Sequence, residues 1–232
     1  MTDASRLTLT VPSRAIALLL VDLQEDHRRD SRFLAADYDA ALANAQKLLA
    51  AARAHNVLVL HGQFVRDFSK VPPRPFEMVG ENGEPGFSDA ANAELIAFCP
   101  EVAPIHGEVT VVKNDNSCFS VDGLAKGLKE QGIAWLVIAG AWTEACVAAT
   151  VRDATANGFR VLLVKDACAS GTRHMHRTGI LNLANRLAGG GVADAARAAR
   201  ILSGGEAEIW RLPSFVPFRF EAETVDPLYD SL

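Results

Sequence analysis

The sequence predicts an α/β fold in which helices cover a doubly wound parallel sheet. Short apolar runs, typical of buried parallel strands, alternate along the 232 residues with longer stretches of helical periodicity. Some of these runs end close to an ionisable or nucleophilic side chain, which is the place where open α/β sheets bind their ligands. Because the composition does not shift along the chain, we expect residues 1–232 to form one domain.

The first half of the chain predicts a strand, a helix and a second strand. Residues 15–21 are continuously apolar, as in a central strand covered on both faces. Residues 39–55 are rich in Ala and Leu at helical spacing, and residues 57–60 resume a strand. Residues 64–97 break this rhythm with a Pro cluster and then a Gly cluster, which a short helical stretch at 89–98 follows. We interpret this insertion as a lid over the binding edge.

The second half of the chain continues the alternation. The predicted strands are 109–112, 135–139, 160–164 and an edge strand at 206–212. The predicted helices are 121–132, a helix that begins near Cys146 and ends at Asn157-Gly158, 175–187 and 192–202. Residues 166–170 are interpreted as a loop, and the Pro- and aromatic-containing tail at 213–232 is expected to pack on a neighbouring surface.

The composition limits the classes of partner. A net charge of -5 offers no basic patch for nucleic acid, so a small-molecule partner is expected. The apolar runs are much shorter than the roughly 20 residues that cross a bilayer. The first residues lack the basic region and apolar core of a secretion signal, so we expect a cytoplasmic protein. The 4 cysteines form no CxxC pair and are expected to be free thiols.

Three chemically active residues follow predicted strands or the turn after one: Asp22, Lys113 and Cys146. Since parallel strands share one carboxyl edge, these side chains can converge on a single cleft. A helix N-terminus lowers the pKa of a thiol, which makes Cys146 a candidate nucleophile, with a buried structural cysteine as the alternative. Asp22 would remove the thiol proton and Lys113 would stabilise both charges. The alternative for Asp22 is an ordinary turn-capping aspartate.

Three ordered motifs carry a resemblance to a known family. They are Asp22 and Gln24 in LLLVDLQED, then Lys113, Ser117 and Phe119 in KNDNSCF, then GAWTEACV at 140–147 followed by RDA at 152–154. On these motifs the chain resembles the isochorismatase-like hydrolases. That family includes nicotinamidases, N-carbamoylsarcosine amidohydrolase, ureidoacrylate amidohydrolases and biuret hydrolases.

The resemblance implies a three-layer sandwich with a six-stranded parallel sheet and amide hydrolysis through a thioester on Cys146. Asp22 would take the thiol proton and later protonate the leaving amine, with Lys113 completing the catalytic triad. The family's cis peptide maps to Ala141-Trp142, so backbone N–H groups of Trp142 and Cys146 would hold the oxyanion. Homo-dimers or homo-tetramers are also implied, because relatives form them.

Departures from the family pattern bear on the substrate. Nicotinamidases add an Asp-x-His and further histidines that bind zinc, whereas this chain has HGQFVRD after the second strand. We therefore predict no metal and no cofactor, with His27 or His61 as the alternative ligands. Isochorismatases proper lack the cysteine, which argues against vinyl-ether cleavage. Trp142 replaces a smaller residue, and its indole either narrows the pocket or turns away into packing.

The sequence thus predicts a metal-independent cysteine hydrolase that cleaves a C–N bond of a small amide, carbamoyl or ureide substrate. The alternatives are a vinyl-ether or ester hydrolase on the same fold, and a non-catalytic small-molecule-binding protein. Nucleotide binding is disfavoured because no GxGxxG follows a strand. The candidate substrate-binding residues are Gln24, Phe33, Phe64, Arg66, Ser117 and Trp142. Among them, Arg66 would bind a substrate carboxylate or ureide oxygen.

Overall fold

The computed structural model describes residues 5–232, which form one eight-stranded sheet flanked by helices. The strands are β1 (Arg6–Leu9), β2 (Ile16–Val21), β3 (Leu58–Phe64), β4 (Val109–Lys113), β5 (Trp135–Ala141), β6 (Arg160–Ala169), β7 (Gly191–Ala193) and β8 (Ala207–Trp210). The α-helices are α1 (Asp26–Arg29), α2 (Tyr38–Ala54), α3 (Ala93–Ile96), α4 (Leu124–Glu130), α5 (Ala148–Ala156), α6 (Arg173–Ala184), α7 (Ala195–Leu202) and α8 (Val225–Ser231). No helix among these residues is long and apolar enough to cross a membrane.

The strand order is β1-β8-β7-β6-β5-β2-β3-β4. Strands β7 through β4 in this order are parallel, β8 runs antiparallel to β7, and β1 runs antiparallel to β8. The predicted α/β class is therefore confirmed, while the expected sheet of six parallel strands becomes a mixed sheet of eight. The predicted edge strand at 206–212 exists as β8, but it is antiparallel.

The sixth parallel strand is β7, at a position where a helix starting at residue 192 was expected. Gly190, just before this strand, and Gly191, its first residue, allow β6 and β8 to approach closely. A Cβ on Gly190 would lie 2.2 Å from the carbonyl oxygen of Val161, and one on Gly191 would lie 2.3 Å from that of Trp210. The glycine run thus allows the strands to pack closely. Helix α7 begins after Asp194, whose side chain caps it by accepting a hydrogen bond from the backbone N–H of Arg197.

The two central strands, β2 and β5, are buried along their whole length. They are hydrogen-bonded to each other and lie between β3 and β6. This double coverage explains why their sequences are continuous apolar runs without the alternation of a half-exposed strand. Because both strands are held rigidly, the residues that follow their carboxyl ends have fixed positions.

Other differences from the predicted elements are local. Strand β6 extends to Ala169 through the predicted loop at 166–170, because its end pairs with β5. Strand β1 and helix α1 were not predicted. In the insertion at 64–97 the one α-helix is α3, with isolated bridges such as that between Arg66 and Asp89. The tail at 213–232 contains α8, which packs on α6 of the same chain.

Candidate active site

The carboxyl ends of β2, β4 and β5 bring the three predicted catalytic residues to one edge of the sheet. Asp22 directly follows β2 in the left-handed region (φ 50°), and its N–H donates to the carbonyl of Gly62. Lys113 is the last residue of β4. Gly140 is required near the end of β5, since a Cβ there would lie 2.0 Å from the carbonyl oxygen of Val21.

Cys146 lies in a single π-helical turn, Thr143–Val147, that joins β5 to α5. The N–H of Val147 donates to the carbonyl of Trp142 at 3.2 Å, which is the wide turn's own hydrogen bond. The peptide bond between Ala141 and Trp142 at the start of this turn is cis. The turn thus presents the thiol beside the end of β5.

A chain of hydrogen bonds anchors this turn to the C-terminal helix. The Thr143 hydroxyl donates to the carbonyl of Ala169 (3.0 Å), so it accepts from Nδ1 of His176 (2.8 Å). The opposite ring nitrogen, Nε2, then accepts from the Tyr229 hydroxyl at 3.0 Å. The tail therefore supports the turn that carries the cysteine.

Asp22 and Lys113 form a buried ion pair. The distance from Lys113 Nζ to Asp22 Oδ2 is 2.7 Å, and Nζ also donates to the carbonyl of Asp115 at 3.0 Å. Burial lowers the pKa of Lys113, but the charge of Asp22, its hydrogen bond and the two nearby thiols together raise that pKa overall, so the ammonium stays charged. The second oxygen, Asp22 Oδ1, is buried and has no hydrogen-bond partner. One carboxylate oxygen is thus held by a cation while the other is available to accept a proton.

The thiol of Cys146 is 7% exposed, and its Sγ lies 3.9 Å from Oδ1 of Asn116. Burial raises the pKa of this thiol; the negative charge of Asp22 adds to the rise, and Lys113 opposes it. The expectation of a lowered pKa is therefore wrong, because burial removes the hydration that a thiolate needs. The resting residue is a neutral thiol, which needs a base before it can attack.

A cavity of about 300 Å³ opens over the thiol. Its lining residues are Asp22, His27, Phe33, Phe64, Phe87, Asn116, Ala141, Trp142, Ala145 and Cys146. The predicted candidates Phe33, Phe64 and Trp142 thus lie on its wall. Sequence reasoning considered His27 only as a metal ligand and did not select Phe87 or Asn116, although Asn116 lies within the KNDNSCF motif.

The indole of Trp142 faces the cavity, which decides between the two orientations left open by the sequence. Its Nε1–H donates to Nδ1 of His27 at 3.2 Å. Burial lowers the pKa of His27 to about 4, so this imidazole is neutral near pH 7. The ring of Phe87 stacks on the imidazole with centroids 5.7 Å apart. The insertion at 64–97 and the segment that follows β2 therefore meet in an aromatic cluster at the cavity wall.

Three predicted substrate-binding residues lie outside the cavity lining, because backbone groups or a carboxylate already occupy their polar atoms. The Gln24 amide donates to the carbonyls of Phe64 and Ile96 and accepts from the Phe64 N–H. The Ser117 hydroxyl accepts from the N–H of Phe119. These two side chains fix the local backbone and do not face the ligand space.

Arg66 is the third of these residues, and it is buried within the insertion at 64–97. Its guanidinium forms two hydrogen bonds with the carboxylate of Glu77, at 2.6 and 2.7 Å. It also donates to the carbonyls of Val71 and Pro72. The residue selected to bind a substrate oxygen therefore links segments within the insertion at 64–97.

The histidines considered as metal ligands have other partners. His61 lies 2.8 Å from the carboxylate of Glu108, which is also paired with Arg53, and His27 accepts from Trp142. Within the described part of the chain, residues 5–232, no three His, Cys, Asp or Glu side chains cluster as a metal site.

Comparison with known proteins places this arrangement in a family. The model of the isochorismatase domain matches residues 16–197. A maleamate amidohydrolase of Pseudomonas putida is 34% identical over 165 residues, covering 69% of this chain and 74% of that protein. A streptothricin hydrolase of Streptomyces noursei is 32% identical over 167 residues, covering 70% of this chain and 59% of that protein.

Solved structures agree with this assignment. A putative hydrolase of the isochorismatase family from Chromobacterium violaceum is similar with a TM-score of 0.66 and 28% identity. The similarity covers 84% of this chain and 97% of that one. The family model spans most of the sheet and all three residues of the buried thiol site. The chain belongs to the isochorismatase family.

Proposed function

We propose that this single-domain protein is a metal-independent cysteine hydrolase that cleaves a C–N bond of a small amide, carbamoyl or ureide substrate. The observation that carries the proposal is the buried Asp22–Lys113 pair beside Cys146, with Asp22 Oδ1 left without a partner. Family membership supports it, because relatives are named for maleamate, nicotinamide-type and carbamoylsarcosine amide hydrolysis.

In the proposed first step, Asp22 accepts the proton of Cys146 as the sulfur attacks the substrate carbonyl. A base is needed because burial keeps the thiol protonated at rest. Lys113 balances the charge of Asp22 before the transfer and stabilises the developing thiolate. Its hydrogen bond to Oδ2 also leaves Oδ1 as the oxygen that receives the proton.

The attack would generate an oxyanion and then a thioester. Backbone N–H groups of Trp142 and Cys146 are the proposed donors to the oxyanion. The protonated Asp22 would then give its proton to the departing nitrogen, so that ammonia or a neutral amine leaves. Asp22 would next remove a proton from water as its oxygen attacks the thioester. Collapse of that intermediate would release the acid, and Asp22 would return the proton to the leaving sulfur of Cys146.

A panel of small amides, carbamoyl compounds and ureides tests the proposal, with release of ammonia or acid as the readout. Cys146→Ala and Asp22→Asn should each lose at least about 10²-fold in kcat/KM, the lower end for a missing nucleophile or base. Cys168→Ala is the matched control, because Cys168 is also buried but lies outside the cavity lining. Full activity in Cys146→Ala would exclude the mechanism, and faster cleavage of matched esters than of amides would favour an ester hydrolase.

We also propose that the protein acts in the cytoplasm as a homo-dimer or homo-tetramer. Large apolar side chains that are exposed in one chain, such as Phe76, Met78 and Phe215, support a contact between copies. Light scattering measures the mass in solution, and cell fractionation measures the location. A monomer at micromolar concentration, or a membrane or secreted fraction, would contradict these two points.

A further inference from the structure

Apart from the ring nitrogens of His27 and Trp142, the polar side chains of the cavity lie at its reacting end. Asp22, Asn116 and Cys146 lie there, around the thiol. The rest of the lining consists of rings and methyl groups: His27, Phe33, Phe64, Phe87, Ala141, Trp142 and Ala145. A bound amide would therefore place its reacting group beside the thiol and the remainder of the molecule among the rings.

The two rings that carry polar atoms satisfy each other. Trp142 has one N–H, and it donates to Nδ1 of His27 at 3.2 Å. Since these atoms are already bonded, His27 and Trp142 present mainly ring surface to the ligand. A polar atom on the substrate body would lose its water without gaining a partner there.

The cations nearest to this wall are also occupied. Lys113 is held in the ion pair at the reacting end. Arg66 is bound to Glu77 inside the lid. Arg32, whose guanidinium lies 5.2 Å from the centroid of the Phe33 ring, is paired with Asp30 at 2.7 Å. A carboxylate on the substrate body would thus be buried without a cation of its own.

The shape of the wall suits a small flat group. A volume of about 300 Å³ lies at the lower end for ligand pockets, which span about 300–1,000 Å³. Phe87 connects the rings, with centroids 4.6 Å from Phe33 and 5.6 Å from Phe64. Ring faces and edges of this kind pack well against another planar apolar group.

We propose that the substrate is an uncharged amide whose acyl part is one flat, apolar ring or an unsaturated group of similar size. His27 and Trp142 determine this preference, because their mutual hydrogen bond removes two polar atoms from the wall. The inference rests on the proposed function, since it takes Cys146 as the reacting end.

Benzamide and 4-carbamoylbenzoate form the decisive pair of probes, because they share a ring and a reacting amide and differ by one carboxylate. The expected result is a kcat/KM at least 100-fold higher for benzamide. Calorimetric binding of both compounds to Cys146→Ala should show the same order. Equal or better use of 4-carbamoylbenzoate would overturn the inference.

A substitution that adds a cation should reverse the preference. Phe33→Lys places an ammonium on the wall and should raise kcat/KM for 4-carbamoylbenzoate at least 10-fold while lowering it for benzamide. Ile105→Lys is the control, since Ile105 is half-exposed and lies outside the cavity lining, and it should change neither value. An unchanged preference in Phe33→Lys would contradict the placement of the substrate body.

The hydrogen bond itself is tested with Trp142→Phe, which keeps a ring but leaves Nδ1 of His27 without its donor. In this variant the kcat/KM for 3- or 4-hydroxybenzamide, relative to that for benzamide, should rise at least 5-fold, because the ring hydroxyl can donate to Nδ1 of His27. The double variant His27→Phe/Trp142→Phe should lose that gain. An equal gain in the double variant would contradict the role of the pair.

Failure of the inference and failure of the proposed function have different signatures. If charged and uncharged amides are hydrolysed equally through Cys146, the function stands and the substrate class is wrong. If no amide is hydrolysed, the proposed function is wrong, and binding to Cys146→Ala still decides the inference. Tighter binding of benzamide would support it, and equal or tighter binding of 4-carbamoylbenzoate would overturn it.

Discussion

Replacing Asp26 by Asn should stabilise the protein in a pH-dependent way. Asp26 is 1% exposed, and its Oδ2 accepts a hydrogen bond from the Ser88 hydroxyl at 2.6 Å. Its Oδ1 lies 3.5 Å from Nδ1 of His27 and has no hydrogen-bond partner. Burial raises the pKa of this carboxyl from 3.8 to about 7. Asn has the same shape, can accept from Ser88 through its oxygen, and carries no charge at any pH.

The size and sign follow from proton linkage. Between pH 4 and pH 7 folded Asp26 keeps a proton that the unfolded chain has lost, so its contribution to stability falls as the pH rises. Ionising this buried group costs about 1.4 kcal/mol for each unit of its pKa shift, or about 4 kcal/mol in all. The Asn variant lacks this cost. Its gain in free energy of unfolding should grow from near zero at pH 4 to about 4 kcal/mol at pH 8.

Denaturant unfolding at several pH values measures this difference, with unchanged m-values showing that the transition stays the same. Asp30→Asn is the control with the opposite sign, because Arg32 lowers the pKa of Asp30 through a hydrogen bond. Relative to the unsubstituted protein, that variant should lose up to about 1 kcal/mol in free energy of unfolding as the pH rises above 4. This is the range of contributions from ion pairs near the surface. A gain for Asp26→Asn that does not change with pH, or a loss at pH 8, would refute the reasoning.

Three further substitutions test the ion pair, the tight strand contact and the link from the tail. Lys113→Met should abolish hydrolysis and lower the free energy of unfolding by about 3–5 kcal/mol, because Asp22 is left buried and unpaired; an active variant of normal stability would contradict this. Gly140→Ala should lower the free energy of unfolding, measured with denaturant, by more than about 3 kcal/mol. The control Gly127→Ala, in a helix with free space around it, should raise it by about 0.5–1 kcal/mol. Tyr229→Phe should lower the free energy of unfolding by about 1–3 kcal/mol, since the buried imidazole of His176 loses its hydrogen-bond donor. An unchanged denaturation midpoint would exclude a stabilising role for this hydrogen bond.

The sequence was sufficient for the central strands and for the residues that follow them. Strands β2 and β5 are continuous apolar runs because both of their faces are covered. Asp22 and Cys146 could be placed at one edge because parallel strands end together. Residue order along the chain was therefore enough to bring the predicted trio into one site.

Contacts between distant segments could not be predicted in this way. The amide of Gln24 is hydrogen-bonded to backbone carbonyls, and the guanidinium of Arg66 is bonded to Glu77. No local sequence pattern predicts these partners. His27 is likewise an isolated histidine in sequence, and its importance comes from Trp142, 115 positions away. Hydrogen bonds between distant segments determine the position and role of each of these side chains.

The glycines before α7 were misinterpreted for a related reason. A run of glycines after a helix is a common stop signal, so a helix was expected to resume at once. In the fold, Gly190 and Gly191 lie against the backbones of β6 and β8, where any side chain would collide. Only the neighbouring strands explain these glycines, and the strand order cannot be derived from a single sequence.

Mass spectrometry of the intact protein, quenched with acid while it hydrolyses an amide, tests the proposed thioester most directly. A thioester mechanism predicts a covalent acyl adduct that maps to the peptide containing Cys146. The adduct should be absent from Cys146→Ala and formed far more slowly in Asp22→Asn. Sustained turnover without any adduct, together with an active Cys146→Ala variant, would contradict nucleophilic attack by this cysteine.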